Sequence, residues 1–317
     1  MRALVTAELT DEGQRRLEAL GYDVVRAGWG TTRQALDPLA YRQAAAGSAL
    51  LVTEIEVVDA DLLAAVPELR LVATARGGPV NVDLAACAER GIPVLFTPAR
   101  NADSVADFVI GALLSLTRGL GAAERHLRGE GWLVDGELPY LHFRGPELDR
   151  LRLGLVGYGA IGRRVAQRAA DGFGMQVLFT DPQVAGSTPL EELLECSDVV
   201  SLHCPRLPAT RGLLDAAALA RMPRGSYVVN TAGGGIVDES ALVASLVSGH
   251  TAGAALDVFA TEPLPRDSPL LTAPNLLLTP HLAGAALDVV RHHTEMVCGD
   301  VERWHRGEPL RHQASTG

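Results

Sequence analysis

The chain has 317 residues and a formal net charge of −10; 47% of its residues are hydrophobic and 21% are charged. This length exceeds what a single hydrophobic core usually supports, so it predicts two domains. The acidic balance argues against nucleic-acid binding, and no apolar run reaches the roughly 18 residues that a membrane span needs.

The cysteines and the amino terminus indicate in which cellular compartment the protein is expected. The sequence contains four cysteines: Cys87, Cys196, Cys204 and Cys298. They show neither C-x-x-C pairing nor the spacing of a zinc site. The chain enters a strand-like segment directly after Met1-Arg2, without a stretch of signal-peptide type. We therefore expect reduced thiols in a cytoplasmic protein.

The first hundred residues alternate between strand-like and helical segments. Predicted strands cover residues 2–6, 23–26, 48–53, 70–74 and 92–96. Predicted helices cover residues 10–21, with Thr10 as the amino-terminal cap, and residues 59–65 and 82–90. Such alternation is typical of a parallel sheet covered by helices, so this part is predicted to form a small α/β domain.

A long apolar helix is predicted after the break at Thr97-Pro98, from Ala102 to Leu120. It is too apolar for a surface helix, so it crosses between domains, lies in a subunit contact, or does both. The following residues 129–149 are rich in glycine and proline but contain Trp132, Tyr140 and Phe143. Large aromatic side chains in a loop suggest a partner contact, although packing of the loop on itself is an open alternative.

The strongest local pattern lies between Leu151 and Asp181. An apolar strand runs into three glycines spaced as G-x-G-x-x-G: Gly157, Gly159 and Gly162. A helix is predicted over residues 163–170, and Asp181 closes a second apolar run roughly 20 residues after the last glycine, as in dinucleotide-binding folds. These residues suit a tight turn, a close approach to a pyrophosphate and a bond to ribose hydroxyls. The alternative is a plain strand–turn–helix in which the glycines serve packing alone.

A second β–α series starts at Leu151. Its predicted strands cover residues 151–156, 175–180, 198–203, 226–230, 252–256 and 276–279, and a last helix covers residues 284–306. Five segments of the chain resemble the D-isomer-specific 2-hydroxyacid dehydrogenases of the phosphoglycerate and glycerate dehydrogenase type. They are residues 189–205, 222–232, 237–242, 255–263 and 278–284.

The resemblance covers nearly the whole chain and implies its architecture. It implies two doubly wound parallel-sheet α/β domains, with a Rossmann-type NAD domain inserted into a flavodoxin-like substrate domain. Residues 1–98 and 287–317 would form the substrate domain, and residues 99–286 the NAD domain, with the active site in the cleft between them. A homodimer would be held by the helix and loop at about residues 101–149.

The implied reaction interconverts a 2-keto acid and a D-2-hydroxy acid by hydride transfer with NAD. His281 matches the family's catalytic acid/base, and Glu262 matches the carboxylate that orients it. Asp181 would repel the 2′-phosphate of NADP, so NAD is expected. The resemblance places these residues at the cofactor: Gly157, Gly159, Ala160, Ile161, Gly162, Asp181, His203, Cys204, Pro205, Thr210, Thr231, Ala232, Asp257, His281 and Gly284.

One position departs from the family pattern. The family has Arg-Gly-Gly after Asn-Thr-Ala, whereas this chain has Gly233-Gly234-Gly235. The family's arginine holds the substrate carboxylate and polarises the keto group, so Gly233 removes a strong charged contact.

Three explanations for Gly233 are open. In the first, another arginine acts instead: Arg76, which leads Arg76-Gly77-Gly78 in the expected substrate loop, or Arg206 as a weaker candidate. Arg76 could equally be a solvated loop charge. In the second, the arginine has been removed by engineering. In the third, the chain is a catalytically weak or inactive NAD(H)-binding sensor or corepressor-like protein.

Overall fold

The computed structural model describes residues 1–315. The chain divides into two compact units. The first unit is Met1–Asn101 together with the residues from Ala286 onward, and the second unit is Ala102–Ala285. The second unit is therefore an insertion into the first. The boundaries expected from the sequence fall after residues 98 and 286.

The strands are β1 (Arg2–Val5), β2 (Asp23–Arg26), β3 (Ser48–Thr53), β4 (Leu71–Thr74), β5 (Val94–Leu95), β6 (Arg152–Val156), β7 (Gln176–Thr180), β8 (Val199–Leu202), β9 (Ser226–Asn230), β10 (Thr251–Leu256) and β11 (Leu276–Leu278). The helices are α1 (Asp11–Ala19), α2 (Trp29–Thr32), α3 (Pro38–Ala45), α4 (Ala60–Ala65), α5 (Leu84–Glu89), α6 (Ala102–Thr117), α7 (Leu120–Gly129), α8 (Pro139–His142), α9 (Ala160–Gln167), α10 (Leu190–Cys196), α11 (Ala216–Arg221), α12 (Glu239–Val247) and α13 (Leu287–His305).

The first unit contains a five-stranded parallel sheet in the order β2-β1-β3-β4-β5. This is the flavodoxin-like order, as the resemblance implies. Alternate residues of each strand enter different cores: Leu50 packs with α1 and α13, whereas its neighbour Leu51 packs with α3, α4 and α5. Helices cover both faces of a parallel sheet, so β3 and β4 are buried along their whole length.

The second unit contains a six-stranded parallel sheet in the order β11-β10-β9-β8-β6-β7. The chain passes from β7 over β6 to β8, so the order reverses between β6 and β8. Helices α10, α11 and α12 pack on one face, and α6 and α9 on the other. Two doubly wound parallel sheets confirm the expected fold class.

The apolar helix is shorter than predicted. It ends at Thr117 instead of Leu120, because Gly119 takes a left-handed conformation with φ of 60° and a second helix, α7, starts behind it. Three of its residues, Val105, Val109 and Leu113, are fully or almost fully buried in the core of the second unit. No single helix within residues 1–315 is long and apolar enough to cross a membrane; α6 and α7 together pass that test by length and composition, with a bend of 57°.

Other corrections concern helix ends and short helices. The helix predicted from Arg163 starts at Ala160 and continues as a π-helical turn over Arg168–Gly172. The region 129–149 is not all loop, because α8 lies within it. Helices α2 and α3 were missed, although α3 carries clear signals: Pro38 is its first residue, and the Asp37 side chain accepts hydrogen bonds from two backbone N–H groups.

Candidate active site

The six strands of the second unit end in line with one another. The last residues of neighbouring strands are register partners along the sheet: Thr180, Val156, Leu202, Asn230, Leu256 and Leu278. Ligands of such folds bind outside the carboxyl ends of the strands, where the strand order reverses. The residues that directly follow the strands are Gly157, Asp181, His203, Thr231, Asp257 and Thr279. Five of these six were predicted at the cofactor, and they lie along this one edge.

Two glycines of the turn after β6 leave no room for a side chain. Gly157 has φ of 97°, and a Cβ atom added to it would lie 2.7 Å from the backbone nitrogen of Cys204. A Cβ on Gly162 would lie 2.3 Å from the carbonyl oxygen of Gly157. The first glycine therefore permits the turn, and the last lets α9 pack against it.

The middle glycine faces open space. No atom lies within 4 Å of a Cβ built on Gly159, and α9 begins with the next residue, Ala160. The first backbone N–H groups of a helix have no partner within the helix, and they favour an anion such as a phosphate. Gly159, Ala160 and Ile161 thus form an open backbone cradle.

The carboxylate of Asp181 is held by the backbone. It accepts hydrogen bonds from the N–H of Tyr158 at 2.7 Å and from the N–H of Gln183 at 2.9 Å. These bonds, with the nearby charge of Arg163, lower the pKa of Asp181 below its usual value, so the group is ionised at neutral pH. The sequence did not indicate that Arg163 places a positive charge near Asp181. The Cζ atom of Arg163 also lies over the Tyr158 ring, 4.7 Å from the ring centre.

Asp257 organises the loop that carries His281. Its buried carboxylate accepts hydrogen bonds from the hydroxyl of Thr279 at 2.6 Å and from the N–H groups of Leu282 and Ala283 at 2.8 Å each. A carboxylate with three such bonds fixes the segment on both sides of the histidine. The structure thus gives Asp257 a positioning contact beyond its expected place at the cofactor.

His281 is paired with Glu262. The ring Nδ1 lies 2.9 Å from Oε2 of Glu262, while Oε1 accepts the N–H of Phe259 at 3.0 Å. Burial alone would raise the pKa of Glu262, but the hydrogen bonds from His281 and Phe259 and the charges of His281 and Arg206 outweigh it, so the pKa is lowered. The carboxylate is ionised at neutral pH, and it can orient the ring and stabilise its charged form.

The backbone of His281 is unusual. Its φ is 54°, in the left-handed region that few residues other than glycine adopt. The His281 N–H donates to the carbonyl oxygens of Asp257 at 2.9 Å and Thr279 at 3.0 Å, which holds the residue in this conformation. Such backbone conformations cost on the order of 1 kcal/mol and gather at functional sites.

Positions 233, 234 and 235 differ in whether they require glycine. A Cβ on Gly234 would lie 1.7 Å from the carbonyl oxygen of Phe259, and Gly235 has φ of 79°. The backbone of Gly233 has no such restriction, and the Asn230 side chain holds it by donating to its carbonyl oxygen at 3.1 Å. Position 233 can therefore carry a side chain, whereas 234 cannot.

The remaining predicted cofactor residues lie on the same loops. His203 bonds through Nε2 to the hydroxyl of Ser201 at 2.9 Å, and burial lowers its pKa to about 4, so it is neutral. The Thr210 hydroxyl donates to the carbonyl oxygen of Pro205 at 2.7 Å, which fixes the loop after β8. The other predicted residues are Cys204, which is buried, and Pro205, Ala232 and Gly284, which are at least partly accessible.

The predicted substrate loop lies in the first unit. The Arg76 guanidinium donates to the carbonyl oxygen of Glu54 at 3.3 Å, and its own carbonyl accepts from Thr97. No atom lies within 4 Å of a Cβ built on Gly77 or Gly78, so this backbone is open to an approaching group.

The residues at the strand ends fit NAD. The glycine cradle is open for a pyrophosphate, and Asp181 lies at the end of the next strand. The buried Thr231 hydroxyl and His203 Nδ1 have no protein partner within residues 1–315, so they can bond to a ligand. The fold and this edge define a dinucleotide-binding α/β protein.

Comparison with known proteins identifies the family. The NAD binding domain model of the D-isomer specific 2-hydroxyacid dehydrogenases matches residues 110–283. The Bacillus subtilis protein YoaD, named as a 2-hydroxyacid dehydrogenase, is 37% identical over 318 residues, which cover 97% of this chain and 92% of YoaD. The chain belongs to the D-isomer specific 2-hydroxyacid dehydrogenase family and is an NAD-dependent dehydrogenase.

Two further matches agree with this assignment. D-3-phosphoglycerate dehydrogenase of Mycobacterium tuberculosis is 40% identical over 249 residues, which cover 76% of this chain and 46% of that protein. The chain thus matches less than half the length of the mycobacterial enzyme. The crystal structure of the TT0316 protein from Thermus thermophilus matches with a TM-score of 0.84 and 34% identity, over 99% of this chain and 100% of that one.

Proposed function

We propose that His281 and Glu262 are the acid/base pair of an enzyme that interconverts a 2-keto acid and a D-2-hydroxy acid. The contact of 2.9 Å between His281 Nδ1 and Glu262 Oε2, on the same sheet edge as the glycine cradle, carries this proposal. With Nδ1 bonded to the carboxylate, Nε2 is left to exchange a proton with the substrate oxygen.

The proposed reduction needs one hydride and one proton. Bound NADH supplies the hydride to the keto carbon. His281 donates the proton to the keto oxygen and becomes neutral, and the ionised Glu262 stabilises its charged form before the transfer. In the reverse direction His281 takes the hydroxyl proton. We also propose Arg76, Gly77 and Gly78 as substrate-binding residues, because the backbone of this loop is open.

A panel of 2-keto acids tests the proposed function. We expect NADH oxidation, followed by absorbance at the nicotinamide band, with at least one 2-keto acid. Turnover with NADPH should be slower, because the ionised Asp181 repels a 2′-phosphate. Measuring kcat/KM for both cofactors gives the preference as a ratio.

The matched variant is Asp181→Ala. It should reduce the ratio of NADH to NADPH efficiency by about tenfold, since one charge–phosphate contact typically contributes about 1.4 kcal/mol or more. Absence of NADH oxidation with every keto acid would contradict the enzyme proposal and favour the NAD(H)-binding sensor or corepressor-like alternative. An unchanged ratio in Asp181→Ala would show that Asp181 does not select the cofactor.

We further propose that the protein is a cytoplasmic homodimer joined through α7 and the loop behind it. Helix α7 has no buried residue, although Leu120 and Leu127 lie on it. The segment after α7 exposes Trp132 by 68%, Leu138 by 65% and Tyr140, which lies on α8, by 79%. Clustered exposed aromatic side chains of this size favour a protein contact.

Replacing two of these aromatics should weaken the dimer. We expect Trp132→Ser with Tyr140→Ser to raise the dimer dissociation constant by about 30-fold or more, because buried interface aromatics often contribute at least 2 kcal/mol. Light scattering over a range of concentrations measures this. Leu39→Ser, at a similarly exposed position in the first unit, is the control. A parent protein that is monomeric, or a double variant that dimerises as before, would contradict the proposal.

A further inference from the structure

We propose that Arg206 binds the carboxylate of the 2-keto acid, from the space that Gly233 leaves open. This inference rests on the proposed function, since it assumes that His281 and Glu262 act on a substrate with a carboxylate next to the keto group.

The Arg206 side chain lies directly over Gly233. A Cβ built on Gly233 would lie 3.1 Å from Cβ and 3.8 Å from Cδ of Arg206, and 3.5 Å from Cδ1 of Ile236. Gly233 is buried although Arg206 itself is exposed, because the arginine stem covers it. A side chain at position 233 would push against this stem. The absence of one therefore lets Arg206 occupy the position.

The charge of Arg206 is available to a ligand. Within residues 1–315 its guanidinium forms neither an ion pair nor a hydrogen bond, and it acts on Glu262 through its charge alone. Its charge therefore reaches Glu262 without being neutralised by a bond to it. A cation in this setting favours an anionic group beside the proton donor.

The loop that carries Arg206 is fixed. The Thr210 hydroxyl accepts the N–H of Leu207 at 2.9 Å and donates to the carbonyl oxygen of Pro205 at 2.7 Å, so it holds the residues on both sides of the arginine. A fixed backbone reduces the conformational entropy that the guanidinium loses when it binds. Its planar fork matches a carboxylate with two parallel hydrogen bonds, which a lysine cannot form.

Binding of oxamate tests the inference without requiring turnover. Oxamate has the carboxylate and carbonyl of a 2-keto acid but is not reduced, and its binding to the protein–NADH complex can be followed by calorimetry. Arg206→Ala should raise the oxamate dissociation constant by about 10- to 100-fold, as expected for the loss of a charged hydrogen bond. Arg206→Lys should lie between Arg206→Ala and the parent, since it keeps the charge and loses the fork.

Three comparisons make the test selective. The NADH dissociation constant should stay unchanged in Arg206→Ala, which separates substrate binding from a general loss of structure. Arg224→Ala, an exposed arginine after β8 and α11, is the matched control and should not alter oxamate binding. Arg76→Ala is the direct competitor, because Arg76 is the other arginine proposed to bind the substrate.

Several outcomes would overturn the inference. These are an oxamate constant within twofold of the parent in Arg206→Ala, an equal loss of NADH and oxamate binding, or a loss in Arg76→Ala without one in Arg206→Ala. The proposed function fails separately, through the keto-acid panel: oxamate affinity can depend on Arg206 in a protein that does not turn over, and turnover can occur without Arg206.

Discussion

Replacing His281 by asparagine should lower kcat for keto-acid reduction by about 10²- to 10⁴-fold, the usual contribution of a general acid/base. Asparagine is chosen because it tolerates the left-handed backbone that His281 adopts, with φ of 54°, better than most residues do. The loss is then due to the missing proton donor and not to strain. Steady-state kinetics with NADH and the best keto acid of the panel measure the effect.

The controls separate chemistry from folding. His250→Gln alters a histidine whose Nε2 contacts the carbonyl oxygen of Leu219, at the amino-terminal edge of the sheet, and kcat should not change. The thermal midpoint of His281→Asn should stay within a few degrees of the parent. If His281→Asn kept more than a tenth of the parent kcat, another residue would have to donate the proton.

Introducing an arginine at position 233 should raise kcat by about 10²-fold, the size of effect that one donor to a developing oxyanion typically has. The backbone of Gly233 allows a side chain, and its nearest neighbour is the Cβ of Arg206, 3.1 Å from a built Cβ. Because the Arg206 Cβ belongs to a fixed loop, the loop has to give by a few tenths of an ångström and the rest of the Arg206 side chain has to turn aside. The new guanidinium would add to the polarisation of the keto group next to His281.

Gly233→Ala and Gly233→Lys are the controls for this gain. Alanine adds the Cβ atom without a charge and should not raise kcat. Lysine should raise kcat less than arginine does, because it lacks the planar guanidinium fork. An unchanged kcat in Gly233→Arg would mean that the site no longer depends on an arginine at this position. The combination Arg206→Ala with Gly233→Arg shows whether the two arginines are interchangeable.

The strands and the cofactor turn could be predicted from the sequence because their signals are local. Apolar runs such as residues 151–156 and 226–230 mark buried strands, and the glycine spacing with Asp181 marks the turn. Helix α7 was missed because its start depends on the left-handed Gly119, which a composition pattern does not reveal.

The contacts that arrange the site could not be predicted from the sequence, for a different reason. Asp257 holds residues that lie 22 to 26 positions further along the chain, and Arg206 covers Gly233 through the packing of two separate loops. Such contacts are set by tertiary structure, so the family resemblance indicated that His281 and Glu262 act together but not what fixes them. A polar residue at the end of a strand or directly after it is the signal that could have drawn attention to Asn230 and Thr279.

The strands β6 to β11 end level with one another, and this limits how the active site can be altered. A strand advances about 3.3 Å per residue, and its side chains alternate between faces. Deleting one residue within a strand would retract the following loop by that distance and turn its buried side chains toward the opposite helices. Adding residues to a loop that follows the carboxyl end of a strand has neither effect. Changes of loop length are thus compatible with this sheet, whereas changes of strand length are not.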